Sequence, residues 1–280
     1  MNTSVVFFLL LCAALCHAGW SSIIKSHNNP LGIMGLTSVI EIVFFTPLIF
    51  FVPFPPLEIW YFIIATVILH GLYRMNVLYS YKYGDLSFVY PIARGGSSLM
   101  IALISILYLS DNISLFGFVG ILIVCFGLFL ISYSKIHQFN RIAFILATST
   151  AVLITAYTLI DGIGIRKSEN AYSYLFWMLL LNGIPVLLIA LLSKSKALIK
   201  IDRSLLAWGT LAGCLAILSY GIVVWSMQHL EIAYVSSIRE TSIVIATLLG
   251  FFILQEKEAK NRIVPAALVM VGISIVYFQL

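Results

Sequence analysis

Six ionisable side chains stand deep inside long apolar runs: Glu41, His70, Arg74, Arg94, Arg239 and Glu240. An ionised group in hydrocarbon is costly unless it is paired or wet, so each marks a place where the chain handles charge. The planar guanidinium fork of Arg94 or Arg239 suits a carboxylate or phosphate group. Glu41, a lone carboxyl ten residues into its run, is held toward its neutral form by desolvation, which suits proton transfer. Glu240 is a second candidate for that role, and His70, one turn before Arg74, is a candidate relay. Each also has a structural reading: Arg94 with Glu240 as a buried ion pair, Glu41 as the partner of Arg74, and His70 as a plain hydrogen-bonding residue.

The run that holds Arg94 carries a stripe. Ser87, Pro91, Arg94, Gly95, Ser98, Ala102 and Ser105 recur at steps of three and four, which places them along one face of a helix. Such a face packs closely against another helix or lines a wet cavity. With Arg94, Arg239 and Glu240, the nearby Ser98 and Tyr90 are candidate substrate-binding residues.

The elements that position these residues are membrane spans. The 280 residues are 61% apolar and 10% charged, against about 45–50% and about 25% in soluble domains. Cutting the runs at charges and turn residues predicts ten spans near 4–22, 31–51, 59–80, 86–108, 114–133, 142–162, 172–192, 205–227, 232–254 and 263–279. Ten spans of about 20 residues occupy roughly 200 positions, which leaves no room for a soluble domain. The first run ends in a cleavage-like Cys16-His17-Ala18 but lacks the basic leader of a secretory signal, and is read as a retained span.

The chain repeats itself. At an offset of 146, Asp85-Leu86-Ser87-Phe88-Val89 falls on Glu231-Ile232-Ala233-Tyr234-Val235, and Arg94 falls on Glu240. At an offset of 138, Leu15 meets Leu153, Ala18 meets Ala156 and Pro47 meets Pro185, and the extra residues of the second half fit the hydrophilic stretch 193–204. The expectation is two five-span repeats, 1–137 and 138–280. Five is odd, so the second lies inverted in the bilayer, an arrangement of carriers with a midplane site between the halves.

Lys and Arg concentrate in the odd-numbered connections, from Lys25 and Lys82 to Lys257, Lys260 and Arg262, while the even ones hold only Arg166 and Lys167. That asymmetry predicts cytoplasmic odd loops and outward termini. It also accounts for the net charge of +5 without nucleic acid. Cys12, Cys16, Cys125 and Cys214 lie in apolar runs without metal-ligand spacing. No Walker-type, HExxH or GxSxG motif is present, so the expectation is no enzyme, no cofactor and no metal.

The chain resembles the EamA-type branch of the drug/metabolite transporter superfamily. The residues that carry the resemblance are Tyr83-Gly84-Asp85-Leu86-Ser87-Phe88-Val89-Tyr90-Pro91 entering the fourth span, Leu230-Glu231-Ile232-Ala233-Tyr234-Val235 entering the ninth, and Gln255-Glu256-Lys257 closing it. The resemblance implies a ten-span carrier for a small metabolite, often an exporter, with both termini in the cytoplasm, opposite to the loop charges. Ser110-Asp111 stands where the family often has a glutamate at the end of the fourth span.

The expected whole is therefore an all-α membrane protein of ten transmembrane helices in two inverted five-helix repeats, in the plasma or inner membrane. It acts as a secondary carrier of a small polar, anionic or zwitterionic metabolite, driven by a gradient that protons could supply. Its partners are that molecule and the bilayer, with a homodimer as one open assembly. Export of cationic or amphipathic drugs, with Glu41 as the attracting charge, and a non-transporting membrane subunit are the alternatives.

Overall fold

The computed structural model describes residues 2–83, 86–109, 111–133, 140–192, 198, 201–252 and 262–280. Asp85, Ser110, Lys135, most of the 193–204 stretch and Gln255-Glu256-Lys257 lie outside the described residues. The described chain is helical: α1 (Thr3–Ser26), α2 (Pro30–Leu48) with a 3-10 turn (Ile49–Phe51), α3 (Leu57–Tyr83), α4 (Leu86–Tyr108), α5 (Leu115–Tyr133), α6 (Arg141–Lys167), α7 (Ala171–Leu192), α8 (Arg203–Ser226), α9 (Ile232–Arg239), α10 (Thr241–Phe252) and α11 (Ile263–Tyr277). Eight of these are long and apolar enough to cross a bilayer, and α11 is a shorter apolar helix.

Polar caps start several of the helices. Asn29 Oδ1 accepts from Gly32 N at 2.9 Å with Pro30 at the first helical position, Asn140 Oδ1 from Ile142 N at 2.8 Å, and Asp202 Oδ1 from Leu205 N at 2.6 Å. Large apolar residues such as Phe8, Val43, Phe44, Leu72 and Phe129 face outward, as the lipid-exposed surface of a membrane bundle requires.

The ninth span departs from the expectation. Instead of one helix over 232–254, α9 and α10 meet at Glu240, where Glu240 N bonds Ser237 O and Ile243 N bonds Glu240 O in tight three-residue steps. Side chains compete with the regular ladder there. Ser237 Oγ donates to Ala233 O and Thr241 Oγ1 to Ile238 O, while the Glu240 carboxylate is drawn to α4. The apolar run continues across the break, so hydropathy does not reveal it.

Four helices from the first half pair with partners from the second: α5 with α11, α2 with α7, α3 with α6 and α1 with α8. In addition α4 packs on α5 and α6, α1 and α11 on α10, α2 on α8, and α3 on α7. The α5–α11 contact is backbone to backbone, since a Cβ on Gly272 would stand 2.6 Å from Gly120 O and one on Gly120 2.9 Å from Gly272 O. Small residues permit this approach in a membrane. Gly272→Ala is expected to force the two helices apart at a cost of about 1–3 kcal/mol, read as a lower melting temperature of the detergent-solubilised protein, with Gly71→Ala, which meets only Pro185 side-chain atoms at 3.1 Å, affected less.

Candidate functional site

A narrow cavity opens between helices from the first and second halves of the chain. It is lined by His17 and Trp20 of α1, Thr37 and Glu41 of α2, His70, Tyr73 and Arg74 of α3, Tyr157 of α6, Asn182 of α7, Ser219 and Tyr220 of α8, and Arg239 at the end of α9. The α3 contribution follows from helical spacing: residues 70, 73 and 74 share one face. About 60 Å³ is free for the centres of water-sized groups, and one water needs roughly 10–15 Å³ by the same measure.

The polar atoms of this cavity are incompletely bonded. Glu41 Oε1 lies 3.4 Å from Arg74 Nη2, but Glu41 Oε2 has no hydrogen-bond partner among the described residues. Arg239 Nε, Asn182 Oδ1 and Thr37 Oγ1 are likewise buried without one. Arg239 is 5% exposed and makes no ion pair among the described residues, and its guanidinium carbon lies 5.8 Å from the centroid of the Tyr220 ring. Of the eleven buried polar side-chain atoms without a partner among the described residues, four belong to residues around this single cavity, which marks it as a place for a ligand or water. They comprise one cationic donor, a carboxylate oxygen, an amide oxygen and a hydroxyl.

Arg94, Glu240 and Ser98 lie beside this cavity and do not line it. Arg94 Nε donates to Glu240 Oε2 at 3.0 Å, and Nη2 lies 2.9 Å from Oε1, in ionic contact but off the hydrogen-bonding direction. Ser98 Oγ donates to Glu240 Oε1 at 3.3 Å and stands 3.5 Å from Ser236 Oγ. Both charged residues are almost fully enclosed. The pair ties α4 to the break in the ninth span. Tyr90 sits behind the cavity wall, with its hydroxyl 3.0 Å from His17 Nε2 and its ring 5.9 Å from the Arg94 guanidinium carbon. Of the seven sequence candidates, the structure thus brings Arg239, Glu41 and His70 to the cavity and gathers Arg94, Glu240, Ser98 and Tyr90 next to it.

The sixth span predicted from the sequence, 142–162, ends just after Asp161. Instead α6 continues to Lys167, and Asp161 is fully enclosed. Gly164 gives room to Tyr174, whose ring would lie 2.6 Å from an added Cβ, and Gly162 does the same for Ile232. The Tyr174 hydroxyl donates to Asp161 Oδ1 at 2.7 Å, the Tyr220 hydroxyl donates to Oδ2, and His70 Nε2 lies 3.5 Å from Oδ2. Among the described residues no group of three or more His, Cys, Asp or Glu is placed to hold a metal ion.

The model of the EamA-like transporter family matches residues 141–278. The second half of the chain, α6 to α11, is thus matched by that family's model. A solved structure described only as the crystal structure of a protein superposes on 99% of this chain and 97% of its own, with a TM-score of 0.76 at 14% sequence identity, which shows the shared fold. No curated protein matches the chain by sequence.

At one end of the bundle, Arg166, in sequence only a charge in an even-numbered loop, ties neighbouring connections together. Arg166, in the last turn of α6, donates to Met227 O at 2.7 Å, Leu230 O at 2.9 Å and Asp111 Oδ1 at 2.8 Å, and lies 3.5 Å from Glu231 Oε2. The α4–α5 and α8–α9 connections are thereby joined to the end of α6. Burial and the neighbouring Asp111 carboxyl push Glu231 above the usual carboxylate range. A group raised in this way stabilises the fold below its unfolded value and loses that contribution as the pH rises through its folded value, so the knot is expected to tighten under mild acid. Arg166→Ala is expected to loosen this end. In a cysteine-free background, Ile232→Cys, buried under the knot, should react with a water-soluble maleimide at least roughly tenfold faster once Arg166 is removed; an unchanged rate would show that the knot is not what closes this end.

Proposed function

We propose that this membrane transporter is a secondary active carrier of a small polar metabolite with an anionic group, in the plasma or inner membrane, and that Arg239 receives that group. The observation that carries the reading is the set of four open polar atoms on one cavity. Arg239 offers a guanidinium that no carboxylate pairs with among the described residues, a receptor for carboxylate or phosphate. Glu41 Oε2 and Asn182 Oδ1 offer acceptors across the same space, which suits a substrate that also carries an ammonium or other donor. A zwitterion satisfies both. Arg74 and Arg239 together disfavour a purely cationic drug, which would meet like charge.

We take the transport cycle to be alternating access by two inverted five-helix repeats. The packing supports this reading. Exchanging α1, α2, α3, α4 and α5 for α6, α7, α8, α9–α10 and α11 turns the α3–α6 contact into α8–α1, α4–α6 into α10–α1, α2–α8 into α7–α3 and α4–α5 into α10–α11, all of which are present. The family match over 141–278 covers α6 to α11, in keeping with a unit that begins near 138.

The test is a thermal-shift screen of the purified wild type and Arg239→Ala against amino acids, organic acids, phosphorylated metabolites and cationic dyes. A ligand at 100 times its dissociation constant stabilises the folded state by about 2.7 kcal/mol. At least one anionic or zwitterionic compound is expected to raise the melting temperature of the wild type and not of Arg239→Ala. Stabilisation by cationic dyes alone, equal in both proteins, would favour drug export and sink the assignment.

A further inference from the structure

Asp161 is among the most enclosed charges in the protein, and substrate binding as described above does not use it. Three neighbouring helices send it a polar group: Tyr174 from α7, Tyr220 from α8 and His70 from α3. Donor counting then fixes the histidine. Each tyrosine hydroxyl has one hydrogen and directs it to Asp161, so the Tyr220 oxygen, 3.1 Å from His70 Nε2, can only accept there. His70 Nε2 therefore carries a hydrogen, and Nδ1 of the neutral ring holds the lone pair. His70 itself lines the cavity, whereas Asp161 does not.

We propose that His70 and Asp161, joined through Tyr220, form a proton-binding site of this carrier: a proton from cavity water binds Nδ1 of His70, and the Asp161 carboxylate is the counter-charge of the imidazolium. The Tyr157 ring is stacked on the imidazole with centroids 4.0 Å apart. The groups facing the site set its charge balance. Arg74 on α3 and Arg239 on α9 are positive; Glu41 on α2 and Asp161 on α6 are negative; Tyr73, Tyr157, Tyr174, Tyr220 and His17 of α1 are neutral. With His70 neutral the formal sum is zero. An anion bound at Arg239 makes it negative, and a proton on His70 restores neutrality, so anion and proton favour each other's binding. This coupling role rests on the carrier reading above, while the proton site itself does not.

The experiment needs no substrate. The full-length protein, labelled with ¹⁵N-histidine in lipid nanodiscs, is titrated by NMR from about pH 5 to about pH 8.5, the range in which imidazole exchanges its proton, with His70→Gln identifying the resonance. The expected result is one reversible protonation of His70, observed at Nδ1, and roughly tenfold or more weaker proton binding in Asp161→Asn, a shift of about one pH unit. Tyr220→Phe keeps the carboxylate and leaves the His70 N–H free to pair with it directly, so the proton should bind at least as tightly as in the wild type; this variant carries the test should Asp161→Asn fail to fold. A His70 that stays neutral across the range, one that titrates identically in Asp161→Asn, or one that loses proton affinity in Tyr220→Phe would overturn the proposal. None of these outcomes bears on the thermal-shift screen, so the two readings fail separately.

Discussion

Arg94→Ala is expected to destabilise the protein severely, at about 3–5 kcal/mol, because it leaves the Glu240 carboxylate buried without its counter-ion. Glu240 is 1% exposed, and Ser98 Oγ at 3.3 Å is the side-chain donor left to it once the guanidinium is gone. Melting curves and size-exclusion profiles of the detergent-solubilised variant should show a sharply lower melting temperature or loss of the monodisperse peak. Replacing both partners with apolar residues, Arg94→Met with Glu240→Leu, removes the orphaned charge and should recover much of the loss, since a buried ion pair replaced whole is often close to neutral. An Arg94→Ala protein as stable as the wild type would mean that Arg94 is free to serve the substrate and that the pair does not lock α4 to the ninth span.

Arg239→Ala should behave in the opposite way. Arg239 makes no ion pair among the described residues, and its contact with the Tyr220 ring at 5.8 Å is the kind worth about 0.5–2 kcal/mol. Its removal also relieves a desolvated charge, so the unliganded variant is expected to melt near the wild-type temperature. Binding is where the loss falls. Truncating the charged partner of a buried ligand anion costs about 2–5 kcal/mol, so affinity for an anionic compound found in the screen should drop about 30-fold or more by titration calorimetry. Arg239→Lys, which keeps the charge and loses the fork, should fall between the two. Comparable destabilisation of the unliganded protein by both arginine variants would merge two roles that the geometry separates.

Much of the architecture was legible in the sequence, and the reasons are physical. Lipid requires unbroken apolar runs, so span limits such as 115–133 and 171–192 fall within a residue or two of the predicted 114–133 and 172–192. The offset of 146 that aligns Arg94 with Glu240 is also the separation of the two bonded partners. What stayed hidden depended on tertiary contacts. The break at Glu240 interrupts no apolar run, and only the pull of Arg94 and the competing hydroxyls of Ser237 and Thr241 show it. The sixth span, drawn to end at 162, runs on to Lys167, and Gly162 and Gly164 within it admit Ile232 and Tyr174. Arg239 and Glu240 are adjacent in sequence but about 100° apart around a helix, so one turns to the cavity and the other to α4. Arg166 carried a signal only as one of two basic residues in the even loops.

The most direct measurement is counterflow in proteoliposomes. Vesicles containing the wild type are loaded with an unlabelled amino acid, organic acid or phosphorylated metabolite that raises the melting temperature, and uptake of the same compound in labelled form is followed from outside. Transient accumulation above protein-free vesicles, present in the wild type and absent in Arg239→Ala, is the expected result. Labelled compound that binds yet never accumulates, with wild type and protein-free vesicles alike, would contradict transport through this cavity and point to a non-transporting membrane subunit.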